Sequence, residues 1–196
     1  MKNQLKKLSF LGLLAAIAVL QSCLDSLTSV LPTVTVPWNG QSMTVTIPPT
    51  PAGQVYVDNF FSSKPADLDS LIKAKNSNMS LKNIKHITID SCILTINNPD
   101  QKNNWRNFNQ INLSILPLTG NNWDEIGQYS GSPSDTSTKT RIKILPDPNV
   151  DLIKYVNTSG GKTVFNYEIA ATQFSTTNKP LIVTINAYYK ITAGAN

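Results

Sequence analysis

The sequence predicts an all-β domain, an antiparallel β-sandwich of two sheets with one or two short helices. Short runs of alternating apolar and polar residues recur along most of the chain, as in half-buried strands. Proline, glycine and asparagine separate these runs. Helical spacing of apolar residues occurs only in brief segments. Because each strand would bury one face, two sheets are expected to pack face to face.

The first predicted strands are residues 33–36, 42–47 and 54–61, where Thr and Val alternate or aromatic residues cluster. Prolines bound all three runs. Because proline lacks the N–H that a ladder needs, these strands are expected to be short or to lie at a sheet edge.

A short helix is predicted within residues 66–75. Leu68, Leu71 and Ile72 have the i, i+3, i+4 spacing of one helix face. Aspartates come early and lysines late in this segment, which matches the helix dipole.

A second helical turn is predicted at residues 147–156, with Asp147 as N-cap and Pro148 at the first helical position. The acidic and amide residues that alternate after Asp147 also resemble the opening of a calcium loop. The glycine and glutamate that complete such a loop are missing, so the capping role is favoured.

The central strands are predicted at residues 84–96, 108–116 and 139–145. In the first of them the apolar residues change parity near 91–93, which predicts a β-bulge. Residues 119–137 are predicted to be a long polar connection.

The clearest alternation lies in residues 162–171 and 180–193, which are predicted to pair as an antiparallel hairpin through loop 172–179. Together these runs make about eight strands. The pattern is similar to immunoglobulin-like sandwiches in the broad sense, although the Cys…Trp…Cys spacing of true immunoglobulin domains is missing.

The N-terminus has the layout of an export signal. Lys2, Lys6 and Lys7 precede an apolar run from Leu8 to Leu20. A membrane-spanning helix needs roughly 20 apolar residues, so this run is too short to be a comfortable anchor. The layout predicts a signal peptide over residues 1–22.

The signal ends in Leu20-Gln21-Ser22-Cys23, which resembles the lipobox of bacterial lipoproteins. The resemblance implies that the Cys23 thiol is joined to diacylglycerol, the peptide is cut before Cys23, and the new amine is acylated. Several acyl chains would hold the protein stably on a bilayer. The resulting domain boundaries are a lipidated tether over residues 23–32 and one domain over residues 33–196.

The same resemblance implies an outer-membrane lipoprotein of the Bacteroidota type. Surface-exported lipoproteins of that phylum tend to carry several acidic residues just after the cysteine. Here only Asp25 follows before Pro37. An orientation toward the periplasm is therefore favoured over the cell surface.

Composition argues against nucleic acid as a partner. The chain has 17 basic and 12 acidic residues, and three of the basic residues belong to the signal peptide. No basic stripe remains in the domain. Cys92 is the only cysteine besides Cys23, so no disulfide is expected within the domain.

No enzymatic motif is found, and neither a cofactor nor a metal is expected. His86 is the single histidine, and no Gly-x-Ser-x-Gly nucleophile motif exists. One histidine and one cysteine do not make a zinc site. Cys92 has Asp90 nearby, which is the wrong charge to activate a thiol, so Cys92 is expected in the core.

Two tryptophans leave two interpretations open. Trp105 and Trp123 each follow an Asn-Asn pair in a predicted connection. Each indole either caps the core or contributes to a ligand platform. In the platform, the asparagine amides would orient the ligand and Arg106 would bind a carboxylate. The asparagines concerned are Asn103, Asn104, Asn121 and Asn122.

The sequence thus favours a lipid-anchored, non-enzymatic binding or accessory module of the bacterial envelope, acting on a protein partner or a glycan. A structural component of an envelope assembly is the alternative, and a hydrolase is less favoured. The ligand and the oligomeric state are left open.

Overall fold

The computed structural model describes residues 33–116, 123–134, 136–156 and 162–194. The predicted signal peptide and tether lie outside them. The described residues form eight strands: β1 (Val34–Ile47), β2 (Val55–Ser62), β3 (Ile84–Ile96), β4 (Phe108–Leu116), β5 (Asp124–Ser130), β6 (Arg141–Pro146), β7 (Asn166–Gln173) and β8 (Leu181–Ala193). They also form one helix, α1 (Leu68–Lys73), and three 3₁₀ turns, Leu81–Asn83, Trp105–Asn107 and Leu152–Tyr155.

All eight strands join one antiparallel sheet in the order β1-β8-β3-β6-β5-β4-β7-β2. The all-β class with few helices is therefore confirmed. The strands β1 and β2 end the order and are edge strands, which agrees with the prolines around them.

Two runs predicted as separate strands, 33–36 and 42–47, are one strand. Pro37 lies within β1 and pairs with Lys190, and the register shifts between Trp38 and Gln41. An edge strand tolerates proline because one side of its backbone needs no partner. This shift is a β-bulge, so the strand continues through the segment between the two predicted runs.

The predicted hairpin of the last two strands is wrong. The structure pairs β7 with β2 and β4, whereas β8 pairs with β1 and β3. Residues 174–180 therefore carry the chain from one half of the sheet to the other. Alternation identifies which face of a strand is buried, but it does not identify the neighbouring strand.

Strand β5 falls within residues 119–137, which were predicted to be a connection. Its sequence is polar, and only Ile126 and Gly127 are buried. A Cβ atom on Gly127 would lie 2.5 Å from the Leu145 carbonyl oxygen of β6. Glycine at this position lets the two backbones approach closely. Because glycine is not typical of a strand interior, the sequence pattern did not identify β5.

The β-bulge predicted in β3 is confirmed, since its register against β8 shifts between Ile89 and Ser91. The predicted helix is confirmed as α1. Its N-cap is Asp67, which accepts a hydrogen bond from the Ser70 N–H at 3.0 Å.

The second predicted helical turn begins later than expected. It is the 3₁₀ turn Leu152–Tyr155, and its N-cap is Asp151, which accepts from the Ile153 N–H at 3.0 Å. Asp147 instead accepts from the Asn149 N–H at 2.9 Å and closes a preceding turn. Asp147 was therefore the wrong cap.

The core combines aliphatic residues from most strands with an aromatic cluster. Trp38 stacks on Tyr189 with ring centroids 4.4 Å apart, and Phe165 packs beside both. Cys92 is 1 % exposed, and burial raises the pKa of its thiol to about 12. Its predicted place in the core is confirmed.

The sheet has two distinct ends. At the entry end, where the described chain begins, Val34 and Ile84 both pair with Ala193. At the far end, Ile47 pairs with Leu181. The segment before β4 hydrogen-bonds to residues 174–178, and these residues lead into β8. Strand β4 therefore also starts at the far end.

Candidate functional site

The segment that joins β3 to β4 at the far end contains the first predicted platform residues. Asn103 is 2 % exposed, and its amide donates to Asp100 at 2.9 Å and to Asn178 at 2.8 Å. Its oxygen accepts from the Asn178 N–H at 2.9 Å. The Asn103 amide is thus used inside the protein.

Asn104 is fully buried and also serves the fold. Its side chain accepts from the Arg106 N–H at 3.1 Å and donates to the Asp100 carbonyl at 2.9 Å. The Asn107 side chain returns a hydrogen bond by accepting from the Asn104 N–H at 3.0 Å. These contacts form a capping box at the start of the 3₁₀ turn Trp105–Asn107.

An ion pair ties this segment to the connection before β8. The Lys179 ammonium lies 2.7 Å from the Asp100 carboxylate. Hydrogen bonds from Lys179 and from Asn103 hold the pKa of Asp100 well below its usual value. Two distant stretches of chain are therefore fixed against each other at the far end.

Trp105 lies in the core, so the platform interpretation is wrong for this residue. It is 0 % exposed, and its indole N–H donates to the Thr140 carbonyl at 3.1 Å. Its ring packs on Phe108 with centroids 5.2 Å apart. The buried Asn103 and Asn104 cannot face a ligand either.

The two tryptophans cannot form one platform. Trp123 is half-buried and directly precedes Asp124, which pairs with Ile115 near the end of β4. Trp105 precedes the start of the same strand, and nine residues of β-strand span about 30 Å. The remaining predicted residues, Asn121 and Asn122, lie outside the described residues.

Arg106, the remaining predicted site residue of this segment, borders a cavity. The cavity measures about 400 Å³ and is lined by Arg106, Pro133, Thr136, Phe174 and Ser175. The guanidinium donates to the Thr136 carbonyl at 3.1 Å and to the Gln101 carbonyl.

Two backbone carbonyls thus hold the guanidinium in place at the cavity wall. Arginine has five N–H donors, so further donors remain for a ligand. No carboxylate of the described chain forms an ion pair with Arg106. The arrangement can bind a carboxylate in the two-pronged geometry that guanidinium favours.

The sequence identified Arg106 but none of its neighbours in the cavity. Thr136 and Phe174 come from connections that are distant in sequence. No local pattern marks them, since only the path of the chain between strands brings them together. The cavity wall could not have been found from spacing alone.

His86 lies at the entry end, exposed as predicted for a residue near the start of a strand. Its Nδ1 atom lies 2.6 Å from the Asp151 carboxylate, and 65 % of its side chain is exposed. The other Asp151 oxygen accepts from the Ile87 and Ile153 N–H groups, both at 3.0 Å. Asp151 thereby joins β3 to the 3₁₀ turn, and His86 extends this structural contact.

The Asp151 carboxyl is held in its charged form. Partial burial alone would raise its pKa, but hydrogen bonds from Ile87, His86 and Ile153 outweigh burial and lower the pKa. In the residues that the structure describes, no group of three or more His, Cys, Asp or Glu side chains could hold a metal ion.

None of the helices in the described ranges has the length and apolar character needed to cross a bilayer.

Comparisons with known proteins place the chain in no family. No family model matches it. No curated protein matches its sequence. Two similar solved structures are viral.

One is a chain from the triple jelly-roll fold and turret assembly of an archaeal virus, with 11 % identity and a TM-score of 0.30. The other is a chain of infectious bursal disease virus strain Gx, with 10 % identity and a TM-score of 0.30. Each match covers 84 % of this chain but only 30 % and 32 % of the viral chains. Likeness at this level carries no argument about function.

Proposed function

We propose that this chain is a lipid-anchored protein of a bacterial outer membrane, whose domain acts as a non-enzymatic binding or accessory module. The ligand is an acidic glycan or a protein partner that presents a carboxylate. The observation that carries this proposal is Arg106, held at a cavity wall without an ion-pair partner in the described chain.

The domain is proposed to be a two-layer sandwich. The hydroxyl groups of Tyr167 on β7 and Tyr189 on β8 hydrogen-bond to each other, although these strands are seventh and second in the order. Such a contact requires the two halves of the sheet to fold toward each other. The resulting shape supports an immunoglobulin-like sandwich in the broad sense.

The geometry suits a domain held by its N-terminus. In the proposal, acylated Cys23 lies in the membrane and residues 24–32 lead to the entry end of the sheet. The Arg106 cavity lies at the far end, next to the start of β4. A ligand-binding cavity would then face away from the bilayer, toward the periplasm in the favoured orientation.

A structural role in an envelope assembly is the second candidate. Edge strand β2 exposes Val55 by 60 % and Val57 by 45 %, and both lie on the same face of the strand. Exposed apolar side chains on an edge strand favour contact with another chain. This role would need no small ligand.

Metabolic labelling with palmitate tests the anchor. Cys23→Ser is expected to abolish labelling and release the protein from membranes, because it removes the thiol that accepts the lipid. Cys92→Ala is the matched control, since it removes the other cysteine and should leave labelling unchanged. Label retained by Cys23→Ser would refute the anchor.

Binding of hexagalacturonate, followed by calorimetry, tests the cavity. Arg106→Gln is expected to weaken binding at least about tenfold, because charge-assisted hydrogen bonds contribute on the order of 1.5–3 kcal/mol. Lys102→Gln removes the same charge from an exposed residue of the same segment and serves as control.

Equal binding by the Arg106→Gln and Lys102→Gln variants would exclude the cavity. If hexagalacturonate does not bind, affinity capture with the wild-type protein and with Arg106→Gln tests the protein partner. A captured protein lost only from the Arg106→Gln sample would support the second ligand class.

Digestion by protease added to intact cells would argue for the cell surface.

A further inference from the structure

A second cavity lies on the first half of the sheet, over strands β1, β8 and β3. It measures about 360 Å³, within the range of small-ligand sites. Its exposed or half-buried wall is formed by Thr35, Pro37, Asp90, Tyr188 and Lys190, and its buried members are Trp38 and Tyr189.

Two β-bulges meet at this cavity. On one side of β8, the register of β1 shifts just after Trp38, which pairs with Tyr189. On the other side, the register of β3 shifts between Ile89, which also pairs with Tyr189, and Ser91, which pairs with Tyr188. Asp90 is the extra residue of the second bulge. Bulges concentrate next to functional sites because they redirect side chains.

The charges of this cavity balance. Asp90 and Lys190 both border it, and both side chains are exposed. Within the described residues, neither side chain takes part in an ion pair. Asp90 would repel a polyanion, and Lys190 would repel a polycation. An uncharged ligand therefore fits this cavity best.

Tyr188 supplies an apolar surface in the same cavity wall as these charges. It is half-buried on the outward side of β8, between the inward-facing Ala187 and Tyr189. A tyrosine offers a large rigid contact area with little loss of side-chain entropy. Hydroxyl groups both donate and accept, so they can donate to Asp90 and accept from Lys190.

We propose that this cavity binds one ring of an uncharged, hydroxyl-rich glycan, with Tyr188 stacking on the ring and with Asp90 and Lys190 hydrogen-bonding to its hydroxyl groups. The site is separate from the Arg106 cavity, shares no residue with it and selects for a different ligand charge. It does not rest on the function proposed for Arg106.

The test is calorimetry on the detergent-solubilised mature protein with cellohexaose, xylohexaose, mannohexaose and hexagalacturonate. At least one neutral hexaose is expected to bind. Tyr188→Ala should weaken that binding about tenfold, the scale of a well-placed aromatic contact. Tyr188→Phe keeps the ring and should bind within about threefold of wild type.

Ile182→Ala is the matched control, because Ile182 is exposed on the same strand and the same face but lies near the far end. It should leave binding unchanged, whereas Asp90→Asn and Lys190→Gln should each weaken it. Melting temperatures of all variants show that the fold is kept.

Failure of every neutral hexaose to bind would overturn the proposal, as would binding that survives Tyr188→Ala. Binding of hexagalacturonate that depends on Arg106 and not on Tyr188 would support the other cavity alone. The proposal for the Arg106 cavity and the proposal for the Tyr188 cavity can therefore be refuted independently of each other.

Discussion

Tyr167 and Tyr189 hydrogen-bond to each other through their phenol hydroxyl groups inside the core, although their strands belong to opposite halves of the sheet. Burial raises the pKa of both phenols, so both stay protonated and one can donate to the other. This contact links the two halves in the interior, where Tyr167 is 0 % and Tyr189 is 2 % exposed.

We expect Tyr167→Phe and Tyr189→Phe to lower the free energy of unfolding by about 1–3 kcal/mol each, because each leaves the opposite hydroxyl without this partner. The double substitution should cost less than the sum of the two. Urea unfolding of the four proteins measures the coupling. Additive losses would show that the hydroxyl groups do not stabilise each other.

Cys92 is expected to be inert in the folded protein. Burial raises the pKa of its thiol to about 12, so the reactive thiolate is scarce at pH 8. A soluble form that begins at Leu24 has Cys92 as its only thiol. It should react with Ellman's reagent only after guanidinium unfolding. Rapid reaction of the native protein would place the thiol at the surface.

Gly127 of β5 and Gly131, which directly follows this strand, are expected to resist substitution. A Cβ atom on Gly127 would lie 2.5 Å from the Leu145 oxygen, and one on Gly131 would lie 2.1 Å from the Phe108 oxygen. Alanine at either position should cost about 1–3 kcal/mol, because backbone atoms must move. Gly194→Ala is the control, since its nearest neighbour would be 3.7 Å away. Equal melting temperatures for all three would contradict the close approach.

Much of the sheet could be predicted from the sequence, and the two failures have separate causes. Alternation marked β4, β7 and β8 because their inward residues are apolar at every second position. Alternation could not reveal that β7 and β8 are not paired with each other, since the pairing of strands depends on where the connection 174–180 leads. It also missed β5, where Gly127 replaces a side chain that would have shown the pattern.

The candidate sites depended even more on tertiary contacts. Arg106 was identified because a cation beside a tryptophan is visible in sequence. The buried roles of Asn103 and Asn104 were not visible, because an asparagine that caps a turn looks the same as one that meets a ligand. The Tyr188 cavity exists only where two bulges from different strands coincide.

Trp105 and Trp123 are expected to differ in their contribution to stability. Trp105→Ala should cost roughly 3–5 kcal/mol, because it empties a fully buried site and removes one of the two N–H groups that donate to the Thr140 carbonyl, the other being that of Ile96. Trp123→Ala should cost about 1 kcal/mol, since its ring is half-buried at the entry end. Thermal and urea unfolding of both variants measure this. A larger loss at Trp123 would contradict the described packing.

Asp151 gives the stability a pH dependence whose direction can be worked out. Burial of Asp151 is outweighed by hydrogen bonds from Ile87, His86 and Ile153, which lower its folded pKa below the ordinary value of 3.8. A carboxyl with a depressed pKa stabilises the fold fully above its unfolded pKa. That contribution is lost as the pH falls through the folded pKa. Asp151 should therefore stabilise the protein at pH 7 and contribute progressively less below about pH 4.

Two substitutions at Asp151 separate its charge from its capping role. Asn keeps an oxygen for the Ile87 and Ile153 N–H groups, whereas Ala removes it. At pH 7 we expect Asp151→Ala to cost about 1–2 kcal/mol and Asp151→Asn to cost less. On acidification toward pH 3, the stability gap between wild type and Asp151→Asn should narrow, while the gap to Asp151→Ala should persist. Urea unfolding at pH 7, 5 and 3 measures both differences in the free energy of unfolding. If wild type stays more stable than Asp151→Asn by the same amount at all three pH values, the carboxylate charge has no part in joining β3 to the turn.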